Sequence, residues 1–344
     1  MNKLLIGTSA GPGANVALIQ EAGIGWVRQD FPFPFADRLG GKLTDGYRQA
    51  KETAKIWCEQ GLMVMGVTPL IGIGGYQADA GGVMQFIWQD WLPAWMGSPG
   101  SEDYYRQYQE LCVFLAQDLR GIVRMWQVTN EMDIPIFAGP LKPRQASELI
   151  LRAARGLKET DSSLIVGTNT AGGGYAYYLY GRLYADPAGY LDYCGVDGYY
   201  GSWAEGEPET WAGRIAELYE LTGKKVLVNE WGFASAGEVM NAEELRARNQ
   251  GASACQFRKW PATWDGGHTP AVQADYVRLV YESLLPYREV LLGAFFYRWE
   301  DQARCWQCGS PDCPLETAWG LVDIQNRPKP AYVAFKEGVK RLIA

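Results

Sequence analysis

The sequence predicts one (β/α)8 barrel over residues 1–344, with long loops after its third, seventh and eighth strands. Three observations point there. Eight short apolar runs alternate with longer amphipathic stretches. Most of the runs are apolar on consecutive residues, as in Leu62-Met-Val-Met65 and Val226-Leu-Val228, the pattern of parallel strands covered on both faces. No low-complexity tract, charge block or Pro/Ser linker divides the chain. An open doubly wound sheet is the competing closure. Against it, Gly7, Gly11 and Gly13 at the first strand–helix junction do not make the G-x-G-x-x-G turn of a dinucleotide site.

The predicted strands are residues 4–8, 24–31, 62–69, 123–129, 164–168, 193–199, 225–231 and 291–299. Helix starts fall between them. Thr44 opens a helix that stops at Gly61, and Ser101 opens one that reaches Gly121. Pro143 suits the first turn of the next helix, which carries Ile150, Leu151, Ala154 and Leu157 at three- and four-residue spacing. Pro208 and Pro270 are expected to open the sixth and seventh helices, and residues 329–342 form the last. The long connections 70–100, 232–269 and 300–322 all follow strand C-termini, the face on which barrels build their sites.

Composition narrows the function. With 47% apolar and 21% charged residues, the 344-residue chain has material for a packed core. A net charge of −7 repels phosphate backbones, which argues against nucleic acid. No stretch is apolar enough to span a bilayer, and nothing points to a particular oligomeric state. The opening Met1-Asn-Lys-Leu-Leu-Ile6 is too short in apolar residues for a signal-peptide core, so a cytoplasmic location is expected of the chain as it stands. Fourteen tryptophans and 20 tyrosines accompany one histidine, His268, so chemistry built on several imidazoles is excluded.

The fourth run ends in Asn130-Glu131 and the seventh in Asn229-Glu230. In an eight-strand ring these ends face each other across the mouth. Paired carboxyl groups serve glycosidic-bond hydrolysis, one protonating the leaving oxygen and the other attacking or activating water.

Trp126-Gln-Val-Thr-Asn130-Glu131 and Val228-Asn229-Glu230-Trp231-Gly232 resemble the two signatures of clan A glycoside hydrolases, retaining (β/α)8 enzymes that include families 5 and 39. Trp26-Val-Arg28-Gln-Asp30, Tyr199, Trp299 and the tail from Trp319 to Tyr332 extend the resemblance along the chain. It implies Glu131 as general acid/base and Glu230 as nucleophile, their carboxyl groups ~5–5.5 Å apart. It also implies Arg28 and the Tyr199 hydroxyl beside Glu230, Asn130 donating to a sugar 2-hydroxyl, and Trp299 as an apolar floor. The substrate would be a β-linked oligo- or polysaccharide, with no cofactor required. Where clan members carry histidines, this chain reads Asp197-Gly-Tyr199, so sugar hydroxyls are expected to find Asp197, Asp30 or Asn169. Tyr200 competes with Tyr199 for the inward position, and Arg28 has Asp30 as an alternative partner.

Two other functions are open to the sequence. A non-catalytic carbohydrate-binding barrel would use the aromatic residues of the long loops, among them Tyr76, Phe86, Trp88, Trp91, Trp95, Trp260, Trp264 and Trp306. A zinc-dependent hydrolase would use the loop cysteines. Of seven cysteines, Cys58, Cys112 and Cys194 fall in predicted helices or strands and read as buried thiols. Cys305-x2-Cys308-x4-Cys313 has ligand-like spacing, with Cys255 or His268 as a fourth donor. Structural zinc, disulfides and free thiols all remain open for that set.

Overall fold

The computed structural model describes residues 4–344, so Met1-Asn-Lys, on which the leader argument partly rests, lies outside the described residues. Eight parallel strands close into a barrel: β1 (Leu5–Ser9), β2 (Trp26–Asp30), β3 (Met63–Val67), β4 (Val123–Gln127), β5 (Ile165–Thr168), β6 (Tyr193–Gly198), β7 (Val226–Trp231) and β8 (Leu291–Phe296). Each pairs with its neighbour in sequence, and β1 closes on β8 through Leu5–Gly293 to Thr8–Phe296. The eight barrel helices are α1 (Val16–Glu21), α2 (Asp45–Glu59), α3 (Glu102–Asp118), α4 (Pro143–Thr160), α5 (Ala176–Tyr184), α6 (Thr210–Thr222), α7 (Pro270–Leu284) and α8 (Pro330–Ile343).

The helix starts follow local chemistry. Thr44, Ser101 and Thr269 accept the backbone N–H groups of Tyr47, Tyr104 and Val272 through their hydroxyls. Pro143, Pro270 and Pro330 sit in first turns, where no N–H is needed. Pro208 does not, because α6 begins two residues later. On α4 the buried stripe runs through Leu149, Ile150, Ala153, Ala154 and Leu157, leaving Leu151 at its edge.

Two cores form. Met65, Met125, Tyr193, Leu227 and Phe295 fill the inside of the barrel, while the larger outer core lies between strands and helices. β6 and β7 are buried along their whole length, as the unbroken apolar runs require. The long third connection folds into an antiparallel hairpin, Gly72–Ala78 with Met84–Asp90. The seventh carries a short strand pair, Glu238–Val239 with Lys259–Trp260, and two short helices. No helix among the described residues is long and apolar enough to cross a membrane.

Candidate active site

Strand alternation sets which side chains enter the mouth. Residues two apart on a strand point the same way. Above inward-facing Met125 of β4 therefore stands Gln127, and above Tyr193 of β6 stand Asp197 and then Tyr199. Tyr200 points away and packs edge-on to Trp211 of α6, with ring centroids 5.1 Å apart. On β7 the alternation breaks. Val228 pairs with Val196, but Glu230 pairs with Asp197, so one extra residue is inserted. This bulge lets Asn229 and Glu230 both face the mouth. Beyond β4, Thr129 and Glu131 take φ values of 56° and 41°. Such left-handed backbone costs a non-glycine residue about 1 kcal/mol or more and is held in place by surrounding contacts. Here the Thr68 hydroxyl accepts the Thr129 N–H at 2.9 Å and Asn169 Oδ1 accepts the Glu131 N–H at 3.1 Å.

Arg28 joins the two sides of the mouth. One guanidinium nitrogen lies 2.8 Å from Glu230 Oε1, Nη2 donates to Asn130 Oδ1 at 2.7 Å and Nε donates to Gln127 Oε1 at 2.9 Å. Asp30 stands 4.0 Å away and is largely exposed, a weaker partner than Glu230. The second oxygen of Glu230 accepts the Tyr199 hydroxyl. Burial and then the Glu230 charge hold that phenol far above its usual pKa, so it remains a donor. Asn130 Oδ1 also accepts from Gln127 and Asn169, both at 2.9 Å. Its oxygen is thereby saturated, and its amide N–H2 is the end left for a ligand.

Glu131 and Asp197 form a second carboxyl pair. Each is nearly inaccessible to solvent, and Asn169 bridges them, accepting the Glu131 N–H and donating to Asp197 Oδ2. Burial first, then the neighbouring carboxylates, pushes both well above the ordinary range. Such a pair keeps a proton at neutral pH, because two adjacent buried carboxylates do not both ionise. The second oxygen of Asp197, Oδ1, is buried without a donor.

The predicted residues Arg28, Asn130, Glu131, Tyr199 and Glu230 thus meet in one network. The structure does not bring Trp299 to it. Alternation ends with β8 at Phe296. Trp299 N–H then bonds to Ser9 O, and the ring is fully buried, edge-on to Tyr332 of α8, with no face open to a sugar. Two aromatic rings pack edge-on to Tyr199: Trp319, 4.9 Å away between centroids, and Tyr297, 5.7 Å away. Tyr297 donates to Glu316, whose carboxyl is pushed up to about 8 chiefly by burial. Gln127, Asn229, Tyr297 and Glu316 were missed from sequence. The polar residues Gln127 and Asn229 at the ends of apolar runs were a usable signal, whereas Glu316 in a loop gave none.

Among the long-loop aromatics, Phe86, Trp91 and Trp306 are exposed, whereas Trp260 is fully buried. Ile73, Tyr76, Ile87 and Trp91 of the hairpin, with Trp306 and Gln307 opposite, line a cavity of about 560 Å³. Neither glutamate lines it. Gln307 connects the two regions by donating to Glu316 at 2.7 Å. None of the seven cysteines is joined in a disulfide. The Sγ atoms of Cys255, Cys305, Cys308 and Cys313 lie within 4.8 Å of one another. His268 is elsewhere, stacked 4.7 Å from Phe233 with its ring nitrogens against Ala234 O and Ala262 O.

Asp133 adds a pH-dependent cost. One oxygen accepts the Ala171 N–H and the other has no partner, and burial raises the group from 3.8 to about 6. The native state therefore binds more protons than the unfolded chain between these values, and stability falls as pH rises through that window. Asp133→Asn is expected to remove up to about 3 kcal/mol of this decline. Urea midpoints measured below and above the window should converge in the variant relative to the parent.

No family model matches the chain, and no curated protein does. Solved structures do match. A β-galacturonidase from Eisenbergiella tayi, bound to galacturonate, aligns with TM-score 0.54 and 15% identity over 94% of this chain and 46% of its own. A β-glucuronidase from Bacteroides uniformis gives 0.58 and 14% over 97% and 34%. A glucosidase from Croceicoccus marinus gives 0.61 and 13% over 98% and 67%. The likeness is one of fold. This chain spans less than half the length of the first two.

Proposed function

We propose that this chain is a retaining glycosidase that cleaves β-linked sugars by double displacement, similar to clan A enzymes such as those of families 5 and 39. One observation carries the reading: Glu230 is gripped by Arg28 and Tyr199 while, in the same mouth, Glu131 is buried beside a second carboxyl, Asp197, and held above the ordinary carboxylate range chiefly by that burial. Those are the two environments a nucleophile and an acid need.

In the first step a Glu230 oxygen bonds to the anomeric carbon and the bond to the leaving oxygen breaks as Glu131 transfers its proton there. In the second, Glu131 takes a proton from water, the water oxygen bonds to the anomeric carbon, and the bond to Glu230 breaks. The free amide of Asn130 donates to the 2-hydroxyl, a bond that strengthens as charge builds on the ring. Trp91 and Trp306 offer apolar faces for sugar rings bound outside the innermost position. The names of the fold relatives support the same reaction class.

The innermost sugar is proposed to be neutral, unlike the galacturonate of the Eisenbergiella tayi protein. Every nitrogen of Arg28 is already committed to Glu230, Asn130 or Gln127, and Asp197 adds acidity beside the pair. A uronate carboxylate placed there would find no free nitrogen on Arg28 and would lie beside the buried carboxyls. A panel of aryl β-glycosides and β-uronides, with the product anomer followed by NMR, tests both points. Cleavage of neutral β-glycosides with the β-anomer formed first is the expected result. An α-anomer formed first would remove Glu230 as nucleophile, and a preference for uronides would overturn the neutral-sugar assignment.

A further inference from the structure

We propose that Cys255, Cys305, Cys308 and Cys313 form a structural zinc site that fastens the loop after β7 to the loop after β8. Four thiolates around zinc at ~2.3 Å place their sulfurs roughly 3.8 Å apart along each edge of a tetrahedron. Here Cys255 and Cys305 sulfurs are 4.0 Å apart, and all four lie within 4.8 Å of one another. Two disulfides would instead separate the sulfurs into two close pairs. Cys255, Cys305 and Cys313 are almost completely buried, and Cys308 is partly so.

The backbone around the cluster is shaped for metal-bound sulfur. Gly309 N–H bonds to Cys305 O at 2.7 Å, and Cys305 N–H bonds to Ser310 O at 2.9 Å. Together they close a tight turn around Cys305-Trp-Gln-Cys308. Gly309 has φ of 73°, a conformation that a side chain at this position would strain.

The cluster also lies where a cross-link has most effect. It sits in a satellite core with Ala234, Met240, Trp260, Leu315 and Trp319, set apart from the main core. The charge pair joining the same two loops, Arg258 with Asp312 at 3.9 Å, is exposed and worth little. Four thiolates fill a tetrahedral shell and leave no position for water, so the site is structural and the zinc-hydrolase alternative loses its catalytic metal. What the metal would hold is the wall of the aromatic cavity. Trp306 and Gln307 lie between two of the ligands, and the Tyr76 N–H of the facing hairpin bonds to Gln307 O at 2.8 Å.

Protein expressed without added metal should contain about one zinc per chain by elemental analysis. Cobalt-exchanged protein should show the absorption of tetrahedral thiolate coordination. Titration with an organomercurial should release zinc in step with thiol modification, and a strong chelator should lower Tm by roughly 10 °C. Cys308→Ser, at the least buried ligand, should weaken zinc retention while keeping a cooperative unfolding transition. Metal-free protein whose Tm is the same with added zinc or chelator would overturn the proposal. So would stoichiometric iron, or a denatured mass showing two disulfides. None of these measurements depends on glycoside cleavage, so failure here and failure of the glycosidase reading are distinguishable.

Discussion

Replacing Glu230 with glutamine is expected to lower kcat on an aryl β-glycoside by about 10⁴-fold or more, because the covalent route loses its nucleophile. The amide still fits between Arg28 and Tyr199, so the loss should come with a near-native circular dichroism spectrum. Glu230→Ala goes further. It leaves the buried Arg28 without its carboxylate, which costs roughly 3–5 kcal/mol when one partner of such a pair is removed. Tm should drop accordingly. The same truncation opens space beside the anomeric carbon, and azide added to the solution should restore part of the rate and give a glycosyl azide of inverted configuration. A Glu230→Gln enzyme that keeps the parent rate on substrates the parent cleaves would remove this residue from the chemistry.

The barrel was legible because its strands are buried on both faces and so write unbroken apolar runs, while Thr44, Ser101 and Pro143 mark helix starts by local chemistry. β7 hid its bulge, because an inserted residue changes direction without changing composition. The sequence reading could therefore name Glu230, whose identity is local, but not explain how Asn229 and Glu230 enter the mouth together. Trp299 shows the reverse failure. The predicted run to residue 299 carried strand alternation three residues past the real end of β8, and the ring turned into the outer core. Tyr297 and Glu316 reach the site through loop geometry, for which a single sequence holds no periodic signal. The cysteine set stood between. Its spacing was visible, but the choice of Cys255 over His268 needed the packing that sends the imidazole onto Phe233.

Glu131→Gln should separate the two chemical steps by leaving group. A nitrophenolate departs without help, so glycosylation should fall only slightly, whereas a poorly activated alkyl or sugar leaving group should lose about 10²–10⁴-fold, the usual worth of a positioned acid. Deglycosylation loses its base with either substrate, and a pre-steady-state burst on the activated one should reveal the accumulating intermediate. Asp197→Ala tests how the proton is kept. Burial first, then the Glu230 and Asp133 charges, raises Glu131, while its contact with Asp197 lowers it. Burial also raises Asp197, so it acts on Glu131 as a protonated neighbour. Losing that neighbour makes ionisation of Glu131 harder, so the alkaline limb of kcat/KM should move to higher pH. The acid is needed protonated, so activity on poor leaving groups should persist further into the alkaline range, with little change on nitrophenyl substrates. An alkaline limb unmoved in Asp197→Ala would mean that burial and the Glu230 and Asp133 charges set the Glu131 proton without Asp197. A limb moved to lower pH would mean that Asp197 had been ionised and acting on Glu131 as a like charge.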